Sequence, residues 1–358
     1  MSNDDNRKFN KWVILTLAAT LAVLVIILII VVVVDPLFHY HAPLNGLAYP
    51  LGDERYTNDG ILRHFDYDSV IMGSSLSENF KTSEADTLFD ANFVKATTYG
   101  ALFRELNEQL ERNFEYNGNL KYVIRGIDLH CICWDKDEYT SGYNIPDFLY
   151  NSNPLDDVYY IFNKEMIAKA FNVLKYTIEG NTTTSFDDYA TWDKPCGTDA
   201  VLSKYTITNR IDTQRGLTDD ERNLVAANIT QNITALPAEH PETTFIYFFT
   251  PFSVAYWDEL DSLGRTEIFL ESIELAARMM LEQPNIKIYM LINDFDTVSN
   301  LDYYIDQMHY NADISSLLLE YMANGDYLVT EDNLDTLMSE ARDFYLNYDY
   351  EALHDTEE

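Results

Sequence analysis

The chain has 358 residues, 47% of them hydrophobic and 14% aromatic, enough to bury a substantial core as one large domain or one domain with insertions. Its 59 acidic against 24 basic residues leave a formal net charge of -35. That balance argues against nucleic acid, where phosphate neutralisation drives affinity, and disfavours polyanionic polymers while leaving neutral glycans open.

Residues 1–12 carry Arg7, Lys8 and Lys11, and Val13 to Val34 is an unbroken run without a charge. At about 1.5 Å per residue such a run crosses a hydrocarbon core about 30 Å thick. No Lys or Arg follows until Arg55, so residues 1–12 are expected to be cytoplasmic, 13–34 a transmembrane anchor, and the remainder extracytoplasmic. A cleaved signal peptide is the competing reading; its apolar core would be shorter, and no small-x-small site follows the run. Residues 35–67, with Pro36, Pro43, Gly46, Pro50 and Gly52, read as an ordered but irregular lead-in.

Asp68 to Met72 is a short apolar run that predicts a first, buried strand. It ends in Gly73-Ser74-Ser75, a small-residue turn that lifts a hydroxyl out of the carboxyl edge of a sheet, where open α/β proteins keep their sites. Ser75 is the candidate nucleophile, with Ser74 as the alternative. Asn92 to Ala96 predicts a second strand, and Leu102, Leu106 and Leu110 predict a helix that stops near Asn117-Gly118. Gly100, at the turn between them, is either an ordinary turn glycine or an amide open to a ligand. Tyr122 to Leu129, which includes Asp128, predicts a central third strand.

Residues 136–240 exceed a simple crossover and are expected to form an insertion that either covers the site or thickens the scaffold. Within it, apolar spacing from Asp156 to Tyr176 predicts a helix, and Thr218-Asp219-Asp220-Glu221 predicts a capping box. Thr244 to Phe249 and Ile286 to Ile292 read as the fourth and fifth strands, with a helix from about 265 to 282 between them. The aromatics from Phe252 to Trp257 either pack the core or line an acceptor groove. Helices are also predicted near 312–323 and 331–346, before an acidic tail at 351–358.

Cys131, Cys133 and Cys196 are too few for a disulfide framework. They read as buried thiols, or as one pair involving Cys196. His39, His41, His64 and His130 read as structural, and Asn293 to Asp296 as ordinary turn chemistry, so no metal or cofactor is expected. The Asn181, Asn228 and Asn232 triplets match the glycosylation pattern, the last two inside a predicted helix.

A serine needs a base, and the base needs an orienting acceptor. Asp306-Gln307-Met308-His309 supplies both at a spacing that lets the carboxylate fold back onto its own turn. These blocks, in the order Gly-x-Ser, Gly100, Gly-x-Asp at Gly126 to Asp128, and Asp-x-x-His, resemble the SGNH (GDSL-like) hydrolase superfamily. Asp35-Pro36-Leu37-Phe38-His39-Tyr40-His41, Tyr56-Thr57-Asn58-Asp59-Gly60-Ile61 and His64-Phe65-Asp66-Tyr67-Asp68 make the chain similar to its membrane-anchored, DltD-like branch.

The resemblance implies a flavodoxin-like, three-layer α/β domain over residues 35–350 with about five mainly parallel strands and helices on both faces. It implies a Ser75–His309–Asp306 triad and an oxyanion hole formed by Ser75, Gly100 and the position of Asp128. It further implies removal or transfer of O-linked acyl groups on a cell-envelope glycan or polymer, alongside a multi-pass membrane O-acyltransferase. The family pattern commonly has asparagine where this chain has Asp128, and an ionised aspartate cannot donate a hydrogen bond. Asp128 is therefore a protonated acid, a loop-orienting group, or a sign of reduced hydrolysis. The last reading leaves open a non-catalytic surface module that binds glycan or a membrane partner.

Overall fold

The computed structural model describes residues 3–151, 153–207, 209–211 and 213–354. Five strands form one sheet: β1 (Ser69–Met72), β2 (Phe93–Lys95), β3 (Tyr122–Ile127), β4 (Thr244–Phe249) and β5 (Ile286–Tyr289). All neighbours are parallel, in the order β2-β1-β3-β4-β5. The register aligns Val70 with Val94 on one side and Val123 on the other, and Val123 in turn with Phe245. A parallel sheet is covered on both faces, which is why these strands are mostly apolar and β1 and β2 are buried throughout, Lys95 included.

Parallel neighbours need crossover connections, and these carry the helices. Thr82–Phe89 and Ala312–Asn324 pack together, while Phe103–Asn117, the segment from Asp219 to Glu239 and Thr266–Leu281 make a second packed group. The fold is thus the three-layer α/β arrangement expected. Gly118 at φ 69° ends the first predicted helix, and the Thr218–Glu221 capping box forms with both reciprocal bonds. The chain leaves β1 toward β2 and then returns across the other edge of β1 to form β3. Strand order therefore reverses at β1/β3, the place beyond whose carboxyl ends open α/β sheets keep their sites.

Contact density divides the chain into two units: Asp66–Tyr143 with Ser185–Glu358, which holds the sheet, and Met1–Phe65 with Asn144–Thr184. Segment 136–240 is accordingly shared between them. Asn144–Thr184 joins the amino-terminal unit because Thr177, Thr183 and Thr184 hydroxyls accept from the backbone amides of Ala48, Tyr49 and Leu51, at 2.8, 3.1 and 3.1 Å. In that unit the apolar helix Asn3–Val34 is long and apolar enough to cross a membrane, and Lys164–Ile178 packs against it. Asp35, fully buried, closes the helix end by accepting from the His39, Tyr40 and His41 amides and the Tyr160 hydroxyl.

Several local expectations need correction. Glu54–His64 is a helix rather than part of an irregular lead-in. Asn58 and Gly60 are poor helix formers, but a Cβ on Gly60 would overlap Leu37 and Phe38, so close packing selects the glycine. β5 stops at Tyr289 rather than Ile292, giving way to a 3-10 turn at Leu291–Asn293. All three cysteines are free thiols; Cys131 is buried, whereas Cys196 is half-exposed. Asn228 and Asn232 are each 1% exposed and donate to backbone carbonyls, which leaves no room for a glycan at either. Of the expected acidic tail, residues 355–358 lie outside the described residues.

Candidate active site

β1 delivers the Ser75 turn. Gly73 adopts φ 145°, a conformation that L side chains rarely adopt, and a Cβ there would run into the Ser77 side chain. The turn continues as a 3-10 helix, Ser75–Ser77, capped by the Ser74 hydroxyl, which accepts from the Leu76 amide at 3.3 Å. Its neighbour in the sheet holds it in place: the Thr98 amide donates to the Gly73 carbonyl at 2.8 Å. Ser75 therefore stands at the head of β1, beside the strand-order reversal.

The loop after β5 brings the imidazole. Ser253 donates to the Gln307 carbonyl through its amide at 3.1 Å and its hydroxyl at 2.9 Å, and the Gln307 side chain donates to Glu259 at 2.7 Å. Asp306 Oδ1 accepts from the Met308 and His309 amides at 2.9 and 2.8 Å, folding the tetrapeptide into a compact turn. Both Asp306 oxygens lie 2.9 Å from His309 Nδ1, and His309 Nε2 lies 2.8 Å from Ser75 Oγ. Residues 234 positions apart in sequence thus form one continuous hydrogen-bonded chain. Burial raises the Asp306 carboxyl pKa, but His309 and the two amides outweigh it, so the group ends below its ordinary value and ionised at neutral pH.

Gly100 occupies the turn after β2 with φ 62°; the Thr140 hydroxyl donates to its carbonyl at 2.5 Å, and the hydroxyl end of Tyr143 lies 3.5 Å from where a Cβ would stand. Among the described residues, neither the Ser75 nor the Gly100 amide donates to a protein acceptor. Asp128 follows β3 and is only 1% exposed, with its Oδ1 buried and without a hydrogen-bond partner among the described residues. Burial pushes its carboxyl pKa up, against the pull of His130, Ser74, His309 and Arg125. The aromatics after β4 divide: Phe252 and Trp257 are fully buried, with Trp257 stacked on Tyr345, while Tyr256 lines a cleft of about 240 Å³ with His130, Trp134 and Arg265.

Neither a family model nor a curated protein matches the chain. Among solved structures, a Streptococcus pneumonia protein provisionally described as a platelet activating factor aligns with 76% of this chain and 90% of its own. Identity is 11% and the TM-score 0.36, a likeness too slight to carry chemistry, so the site stands on its own side chains.

Two side chains at the site escape the sequence reading. Lys95, fully buried at the end of β2, donates to the Glu78 and Phe80 carbonyls at 2.6 and 3.2 Å and so clamps the segment after Ser75. Burial lowers its pKa to about 8. The available signal is a lone charge inside the apolar run Phe93-Val94-Lys95-Ala96. Trp192 reaches the site from the carboxyl-terminal part of segment 136–240, donating from Nε1 to the Ser75 carbonyl at 3.2 Å. A tryptophan in a polar loop is its only signal in sequence, and nothing in its spacing points to Ser75.

Proposed function

We propose that this protein is a membrane-anchored serine acyl-ester hydrolase or O-acyltransferase that acts through Ser75, His309 and Asp306. One observation carries the reading: the unbroken hydrogen-bond chain from Ser75 Oγ through both ring nitrogens of His309 to a carboxylate kept ionised. His309 Nε2 takes the Ser75 proton as Oγ bonds to the ester carbonyl carbon, and Asp306 stabilises the imidazolium that forms. The Ser75 and Gly100 amides bind the developing oxyanion. The tetrahedral intermediate collapses, the ester C–O bond breaks, and His309 returns the proton to the departing alcohol. Water or a sugar hydroxyl then gives its proton to His309, attacks the acyl-serine and releases Ser75.

Similarity of the motif blocks to the SGNH superfamily and its DltD-like branch supports an O-acylated cell-envelope glycan or polymer as substrate. It also supports a multi-pass membrane O-acyltransferase as partner. The net charge of -35 favours a neutral glycan over a polyanion. On this reading the helix ending at Val34 is the anchor, residues 1–12 are cytoplasmic, and the sheet-bearing unit works outside the cell membrane.

The buried Asp128, in a position where the family pattern commonly has asparagine, favours a second reading, a non-catalytic module that binds glycan or a membrane partner. Treating the full-length protein in detergent with a fluorophosphonate probe separates the two. Labelling that disappears in Ser75→Ala and His309→Ala is expected. A well-folded wild-type protein that takes no label refutes the enzyme, and peptide mapping to Ser74 would move the nucleophile.

A further inference from the structure

The segment beginning at Ser185 is tied across the site at both ends. At one end Asp187 accepts from the Thr82 hydroxyl at 3.2 Å and from the Ser83 amide and hydroxyl at 3.0 and 2.6 Å. At the other, the Gly197 amide donates to the Tyr304 carbonyl at 3.0 Å, five residues before His309. Between these anchors Trp192 holds the nucleophile turn twice, through its amide to Asn79 Oδ1 at 3.0 Å and through Nε1 to the Ser75 carbonyl. Its indole meets the His309 imidazole edge to face, with ring centroids 5.8 Å apart and planes at 81°.

This contact fixes which part of a substrate Trp192 would touch. His309 must pass its proton to the departing alcohol oxygen, so the alcohol of the ester lies on the His309 side of Ser75 while the acyl group points away. The side chain against His309 on that rim is the half-exposed indole. Asp193 and Lys194 follow it, both exposed. An aromatic face attracts the C–H face of a sugar ring, and neighbouring charged groups suit its hydroxyls.

We propose that Trp192 is the platform for the alcohol part of the substrate, a sugar ring carrying the acyl ester or accepting it. The proposal rests on Ser75 as the nucleophile and assigns the sugar to a strap that neither motif nor strand positions mark. Ser75 is itself 8% exposed, so a ring leaving or arriving beside His309 has to pass this wall.

The test compares two acetates that share an acyl group and differ in alcohol, methyl 6-O-acetyl-glucopyranoside and ethyl acetate, with full-length protein in detergent. The readout is the ratio of their kcat/KM values, which cancels any general damage to the Ser75 turn. Trp192→Ala is expected to lower the sugar-to-ethyl ratio by about tenfold, mainly through a higher KM, on the scale of one aromatic contact. Trp192→Phe, which keeps a ring but loses the Nε1–H, is expected to hold the ratio within about threefold of wild type. An unchanged ratio in Trp192→Ala, with both rates falling together, overturns the sugar platform while leaving the nucleophile intact. Wild-type protein inactive on both esters and unlabelled by the fluorophosphonate overturns the Ser75 reading and this proposal with it.

Discussion

Replacing Asp306 by Asn tests the hydrogen-bond chain at its least intrusive point. An asparagine can keep Oδ1 toward the Met308 and His309 amides, which Asp306 Oδ1 now accepts at 2.9 and 2.8 Å, so the turn survives. Its Nδ2–H then faces His309 Nδ1 and donates where the carboxylate accepts. The imidazole must answer with an unprotonated Nδ1, which puts its proton on Nε2, opposite Ser75 Oγ, and leaves no base there. Losing general-base help and the counter-charge for the imidazolium is expected to cut kcat by roughly a thousandfold or more. That is about 4 kcal/mol of transition-state stabilisation.

The folding cost is much smaller, about 1–2 kcal/mol, because one charge-assisted interaction is exchanged for a neutral one. Its pH dependence has a definite sign. The folded-state pKa of Asp306 lies below 3.8, so in that acidic range the unfolded chain binds more protons than the folded one. The carboxylate's stabilising effect is therefore complete above about pH 4 and fades as pH falls through the lower folded value. Initial rates on a short-chain ester at neutral pH, alongside thermal melts from pH 3 to 7, check both halves. A folded Asp306→Asn protein that keeps more than about a tenth of wild-type kcat would refute the orienting role.

Two further outcomes follow from the residues that shape the Ser75 turn. Gly73→Ala puts a Cβ against Ser77 at φ 145° and is expected to destabilise the fold by about 2–4 kcal/mol, read by urea denaturation, with loss of probe labelling at Ser75. For Lys95, whose pKa burial lowers from 10.5 to about 8, the unfolded chain binds the extra proton between those values. Wild-type stability relative to Lys95→Met should therefore rise from pH 8 to 10.5, by roughly 3 kcal/mol at most, and a flat difference would show that the ammonium is not desolvated.

Sequence alone determined the apolar helix, the five strands and their parallel sense, because each rests on local information: an uncharged run, continuous apolar stretches, and crossover lengths that leave no tight hairpins. It also marked Ser75, Asp306 and His309, since a small-residue turn after a strand and an Asp-x-x-His turn are short-range patterns. It did not mark the helix Glu54–His64, whose poor helix formers are overruled by packing of Gly60 against Leu37 and Phe38. Only the tertiary structure decided that Ser75 and His309 meet at 2.8 Å, that Asn144–Thr184 leaves the sheet-bearing unit, and that Trp192 and Lys95 close around the Ser75 turn. Each of those depends on which side chain finds which partner after distant segments have closed. A period along the chain carries no record of such pairings, whereas a desolvated amine or indole N–H must find an acceptor wherever the fold supplies one.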